Sequence, residues 1–275
     1  MKDKVHVFLD FEFTCPEQKG ISKREIISMA AVFRYADGSP LTSFYSVVKP
    51  SRTQYLSART IRLTGITQAQ INKSQRFDKV AQKFLELVDD LSPSGFFVWG
   101  NADRIEVQKA VRFSHADKRM EKISDEFHDL QVDVMEQLGL PNPYNLERAA
   151  DIYGIDFRHA FSAIDDAECL ADIYFAYQKD DYDEEKLNSY KQFYKYRRVI
   201  GKYKLVKNNV KMAEKKLAQL KMKSQDFDEN SDDYRKIQQK IIETSEYIKH
   251  QSELADKLEP MKDEAEQFVS ECECL

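Results

Sequence analysis

From Val7 to Phe13 the chain is apolar except at Asp10 and Glu12, which stand two apart in the run Val7-Phe8-Leu9-Asp10-Phe11-Glu12-Phe13. Side chains of a strand alternate between its faces, so both carboxylates point the same way from an otherwise apolar strand. Short apolar runs of the same texture predict strands over Val5 to Asp10, Ile26 to Tyr35, Ser43 to Val48 and Phe96 to Trp99. The first three follow one another across short turns such as Asp37-Gly38-Ser39-Pro40, which predicts a meander. Apolar residues at helical spacing fall at Phe77 to Leu91, Arg104 to Phe113, Val132 to Leu138, Asn145 to Tyr153 and Asp165 to Tyr177. Strands and helices thus alternate as far as about Gln178, the pattern of an α/β domain with a mixed central sheet.

Past Tyr177 the texture changes. The acidic run Asp180-Asp181-Tyr182-Asp183-Glu184-Glu185 leads into a stretch almost without Gly or Pro, so a boundary is expected there, with domains over 1–178 and 186–275. Apolar residues at Tyr196, Val199, Tyr203, Val206, Val210, Ala213, Leu217 and Leu220 step by threes and fours, which is a coiled-coil seam. A second seam runs through Tyr234, Ile237, Ile241, Thr244 and Ile248 and weakens toward Leu258. Between them Ser224 to Ser231 is polar and turn-like, and Ser231 suits a helix N-cap. An antiparallel helical hairpin is the simplest fold for this appendage, and a homodimer through the same seams is the alternative. Pro260 permits only a fresh helix start, which predicts a separate short final helix. Lys and Arg dominate from Tyr190 to Lys223, with Glu214 the single acid and Phe193, Tyr194, Tyr196 and Tyr203 interleaved, whereas the second arm is acidic. That contrast fits a grip on phosphates and bases, and equally fits pairing of the two arms across the hairpin.

A chain of 275 residues buries a core that needs no disulfides, and a net charge of −5 does not by itself advertise a nucleic-acid binder. Cys15, Cys169, Cys272 and Cys274 form no CxxC pair and have no histidine at zinc-finger spacing, so reduced thiols in a cytoplasmic protein are expected. No basic amino-terminal segment leads into a long apolar stretch, and the longest apolar runs are strand-sized; neither a signal peptide nor a membrane span is expected.

Candidate chemistry begins with the strand acids. Two like charges a few Å apart on an apolar strand repel each other and lose hydration, a costly arrangement unless cations lie between them. Hard divalent ions are the usual partners of such oxygens. Further acids follow at Asp103, after Phe96-Phe97-Val98-Trp99-Gly100-Asn101-Ala102, and at Asp166, in Ser162-Ala163-Ile164-Asp165-Asp166-Ala167-Glu168. The latter segment opens an amphipathic helix whose Ala167, Leu170, Ala171, Tyr174 and Phe175 face the sheet, and helix N-termini favour acids in any case.

In this order and on these elements, Asp10, Glu12, Asp103 and Asp166 resemble the DEDD superfamily of 3′-to-5′ exonucleases, of RNase T and DnaQ type, over roughly residues 4–178. Arg24-Glu25-Ile26-Ile27-Ser28-Met29-Ala30-Ala31-Val32 looks like the family's second strand, and Leu63-Thr64-Gly65-Ile66-Thr67 like its loop before a helix. The spelling Asp-Phe-Glu-Phe-Thr-Cys, with Trp99-Gly100, is closest to the KapD-like and enhancer-of-RNAi branch. The resemblance implies an RNase H-like fold: a mixed five-stranded sheet flanked by helices. It also implies two Mg²⁺ or Mn²⁺ ions held by the four acids, with Asp10 bridging, Glu12 and Asp166 on the nucleophile's ion, and Asp103 on the other. The histidine subclass places His five residues before the last Asp, where this chain has Phe161, and the tyrosine subclass places Tyr four before, where it has Ser162. His159, two residues earlier, is the expected general base. Phe11, Phe13, Leu63 and Phe161 are candidates to stack on or wedge between terminal bases, with a place in the core as the alternative. The implied function is metal-dependent removal of nucleotides from the 3′ ends of single-stranded RNA or DNA. Its rival is a catalytically reduced exonuclease fold used as a nucleic-acid-binding or adaptor protein.

Overall fold

The computed structural model of the protein describes residues 4–15, 24–140, 144–157 and 162–273. Within them the chain divides into two compact units, Met1–Leu187 and Asn188–Leu275.

In the first unit β1 (Val5–Phe13), β2 (Ile26–Tyr35) and β3 (Pro40–Lys49) form the expected antiparallel meander. β4 (Gln75–Arg76) adds to the β3 edge, and β5 (Gly95–Val98) and β6 (Phe127–Asp129) continue from β1 in parallel. The sheet is therefore mixed and six-stranded, in the order β4-β3-β2-β1-β5-β6, rather than five-stranded. The added strands β4 and β6 hold two and three residues, too few to show a period of two.

Alternation along β1 sorts the core into two layers. Val7, Leu9 and Phe11 point to a face covered by α3 (Phe77–Leu91) and α4 (Ala102–Ser114), where they join Met29, Ala31, Phe33, Val80, Phe84 and Val107 in one buried cluster. His6 and Phe8 point to the other face and meet Phe97, Tyr174 and Phe175, the last two from α8 (Ala163–Gln178). Arg34 at the far end of β2 grips this helix, its guanidinium donating to Glu168 and Asp172 at 2.6 Å each. Smaller elements complete the unit: α1 (Ala58–Thr64), α2 (Gln68–Lys73), α5 (Arg119–Asp125), α6 (Leu130–Leu138) and α7 (Leu146–Ile152). Gly65 ends α1 at φ 66°, where a side chain would strain the backbone, and Thr67 opens α2 with a capping box to Gln70.

The second unit is built from α9 (Glu184–Ser224) and α10 (Asp232–Glu273). The two helices run antiparallel: Tyr196 donates to Glu264 and meets the Phe268 ring at a tilt, Tyr203 donates to Glu259, and Val206 packs with Ala255 and Leu258. The expected break at Pro260 does not occur, because α10 passes through it. A proline in a helix interior costs about 3 kcal/mol, which burial of Ala255, Leu258 and Ala265 on either side offsets. Among the described residues no helix is long and apolar enough to cross a membrane.

Candidate active site

Asp10 and Glu12 lie opposite Ala30 and Ser28 of β2, two small side chains that are themselves fully buried. The first turn of α8 supplies Asp166. One carboxylate oxygen from each of Asp10, Glu12 and Asp166 lies within 4.8 Å of the others, so all three can serve one cation. Asp166 Oδ1 is buried and makes no hydrogen bond with any described group, which is the state of a ligand atom rather than of a helix cap.

The cluster is electrostatically strained. Burial, followed by the charges of Asp103, Asp166 and Glu12, holds the Asp10 carboxyl well above the usual range. Burial and the neighbouring Asp166 push Glu12 up to about 7, and burial with Asp165 pushes Asp166 up to about 6. The helix N-terminus favours an anion at Asp166, yet desolvation outweighs it. Among the described residues no Lys or Arg pairs with any of these acids.

Asp103 sits apart from the three-carboxylate group but close enough to raise Asp10 electrostatically. It belongs to the first turn of α4 rather than to a strand end, is 5% exposed, and is itself raised by burial, Asp129 and Glu12. Asp129 is a residue that sequence reasoning missed. Its Oδ1 accepts from the Gly100 N–H at 2.8 Å and from the Gln131 N–H at 3.1 Å, tying the turn before α4 to the start of α6. Gly100 permits that turn at φ 93°, and the N-cap pattern ahead of the 132–138 helix was the available signal. Tyr45 of β3 was also missed: it lies opposite Ala30, hence in one row with Asp10, is 48% exposed, and has its hydroxyl raised by burial and by Glu12.

The aromatic candidates divide. Phe11 is 4% exposed on the opposite face, against Phe127, and so is a core residue with no path to a substrate. Alternation demands this, since the neighbour of two residues on one face points to the other. Phe13, beyond a bulge after Glu12, is half-buried and packs on the same core cluster. Leu63 is half-buried on α1 rather than in a loop, and α1 is tied to the end of β1 by Cys15 N–H to Thr60 Oγ1 at 2.9 Å and Ser57 Oγ–H to Cys15 O at 3.2 Å. His159 and Phe161 lie outside the described residues.

Comparison with known proteins points the same way. Residues 7–174 match the Exonuclease family of RNase T type. The chain is 29% identical over 151 residues to the probable 3′-5′ exonuclease KapD of Bacillus subtilis (strain 168), covering 54% of this chain and 71% of that protein. It is 37% identical over 79 residues to ERI1 exoribonuclease 2 of Danio rerio, covering 28% of this chain and 14% of that protein. In fold it is similar to the nuclease domain of 3′hExo, a DEDDh family member solved bound to rAMP, with a TM-score of 0.60 at 20% identity over 64% of this chain and 92% of that one.

Proposed function

We propose that this chain, which belongs to the RNase T exonuclease family, removes nucleotides from the 3′ ends of single-stranded RNA or DNA by metal-dependent phosphodiester hydrolysis. One observation carries the reading: three half-buried carboxylates from β1 and α8 with oxygens within 4.8 Å, and among the described residues no Lys or Arg paired with them. Such a cluster is matched to hard divalent ions, which on the family pattern are Mg²⁺ or Mn²⁺. Asp10, Glu12 and Asp166 would hold the ions, with Asp103 as the fourth acid. When bound, the ions supply an activated water and offset the charge that develops on the phosphate. The residues' own part is to fix that centre on regular elements: β1 sets the Asp10–Glu12 spacing, and the first turn of α8 brings Asp166 to it. His159 enters on the family pattern as the proton acceptor, since a neutral imidazole of ordinary pKa near 6.5 accepts a proton at physiological pH. The reduced-thiol reading of the cysteines supports a cytoplasmic setting.

The test is a ladder assay. Purified protein with Mg²⁺ or Mn²⁺ is given end-labelled single-stranded RNA and DNA. A ladder shortening from the 3′ end is expected, absent in EDTA and absent for Asp10→Asn. Retained binding with no product for either nucleic acid would reject the enzyme reading in favour of a binding module.

A further inference from the structure

Between Gly38 and Phe77 the chain holds no Asp or Glu, although the whole protein is net −5. The charged residues of this stretch are Lys49, Arg52, Arg59, Arg62, Lys73 and Arg76, and all are exposed. Of these six, Arg52 alone has an ion-pair partner among the described residues, Glu25 at a loose 3.7 Å. Surfaces ordinarily intersperse both signs, because clustered like charges repel. A segregated positive segment is therefore most stable when a polyanion lies along it.

Its place in the fold is specific. The segment comprises β3, α1, α2 and β4, and it borders the acidic cluster directly: Val47 and Tyr45 share rows with Glu12 and Asp10 across β2. Lys49, Arg52, Tyr55 and Arg76 converge on one groove at the end of β3, where Lys49 and Arg76 are ladder partners. Two inter-strand spacings, about 10 Å, separate β3 from β1, so the groove begins a short step from the acids. The groove wall is rigid. The Glu25 carboxylate accepts from the N–H groups of Ser51, Arg52 and Thr53 at 2.8, 2.9 and 2.8 Å, and from Thr53 Oγ1 at 2.7 Å. On this braced loop Tyr55 is kept 72% exposed, a large ring held in water beside three cations. Cations that track a backbone and a free aromatic face for bases are what a single strand requires.

We propose that this groove grips the body of the single-stranded substrate upstream of its 3′ end, with Lys49, Arg52 and Arg76 on phosphates and Tyr55 stacked on a base. The assignment rests on the exonuclease reading of the neighbouring acids. It also answers an electrostatic need, since four carboxylates repel the phosphate they must act on, whereas the flank draws the strand in.

The test is binding of fluorescent single-stranded RNA and DNA of 2, 10 and 20 nucleotides to the full chain in EDTA, across a salt series. Relative to the unaltered protein, K49E/R52E/R76E is expected to bind the 20-mer at least tenfold more weakly while changing the dinucleotide little. Its plot of log affinity against log salt becomes shallower by about 2, three contacts at roughly 0.7 each on single strands. Tyr55→Ala is expected to cost about tenfold without altering the slope. K49A/R52A/R76A keeps the test open if the reversed variant misfolds, and Lys83→Glu on α3 serves as the neutral control. An unchanged slope, a loss independent of length, or an equal loss in Lys83→Glu overturns the proposal. An acidic peptide or anionic vesicle that competes as well as the 20-mer overturns the choice of partner. Turnover of the p-nitrophenyl ester of thymidine 5′-phosphate by the unaltered protein in Mn²⁺ reads the exonuclease assignment separately, so either idea can fail alone.

Discussion

Without metal, the acids at the centre of this fold should weaken it, and Glu12 gives the effect a size. Its carboxyl is raised from 4.5 to about 7, chiefly by burial and secondly by Asp166. One pKa unit corresponds to about 1.4 kcal/mol, so ionised Glu12 costs the metal-free fold about 3 kcal/mol. The sign follows from proton counts. Between the unfolded and folded values the native state binds the extra proton, so stability falls as pH rises through that window and is recovered as pH falls. From pH 8 to pH 5 the Glu12 contribution is a gain of roughly 2.5 kcal/mol. Urea unfolding in EDTA, followed through Trp99, the sole tryptophan and a donor to the Tyr144 carbonyl at 2.9 Å, measures it. The unaltered protein should gain about 2 to 3 kcal/mol more between pH 8 and pH 5 than Glu12→Gln, and Mg²⁺ at pH 8 should stabilise the unaltered protein most. Equal slopes in the two proteins, or a larger gain in Glu12→Gln, would refute the claim that repulsion and desolvation dominate the cluster.

Two other perturbations probe the site from outside the three-carboxylate group. His159→Ala should slow turnover by roughly 10²- to 10⁴-fold and flatten the acidic limb of the pH–rate profile while leaving metal affinity intact; an unchanged profile assigns the proton to another group. Asp129→Ala removes the acceptor shared by Gly100 and Gln131 and should lower stability by about 1 kcal/mol as a lost N-cap. If Asp129 positions Asp103, Asp129→Asn should restore turnover more fully than it restores the melting temperature, and parallel recovery of both would reduce its role to capping.

Elements long enough to show a period were legible from the amino acids. β2 and α3 run over Ile26–Tyr35 and Phe77–Leu91, the spans their patterns predict, and the apolar stripe of α8 brings Tyr174 and Phe175 onto Phe8. What escaped was short: β4 and β6, and the helices α1, α2 and α5, each of two turns or fewer. In the site, the strand alternation that paired Asp10 with Glu12 also excluded Phe11 from the same face, and a strict use of it removes that residue from the substrate contacts. Tyr45 and Asp129 were invisible for another reason. Their proximity to the acids arises from register across β2 and from the β5–β6 pairing, which are properties of the sheet and not of any one segment. Pro260 misled because local propensity sees the missing N–H and the ring, whereas the packing on α9 that outweighs them lies some fifty residues away in the chain.

The hold of Arg34 on Glu168 and Asp172 reaches beyond anchoring a helix. It fixes α8 along its own axis, and the residue it thereby indexes is Asp166, less than a turn upstream of Glu168. One turn of an α-helix is about 5.4 Å, more than the 4.8 Å within which the three oxygens meet. A slip of α8 by a single ridge would thus dismantle the centre while leaving every secondary-structure element whole. Under the proposed function Arg34 would act as an alignment pin at the opposite end of β2, and wear at that pin would be felt first as lost turnover and only later as lost fold.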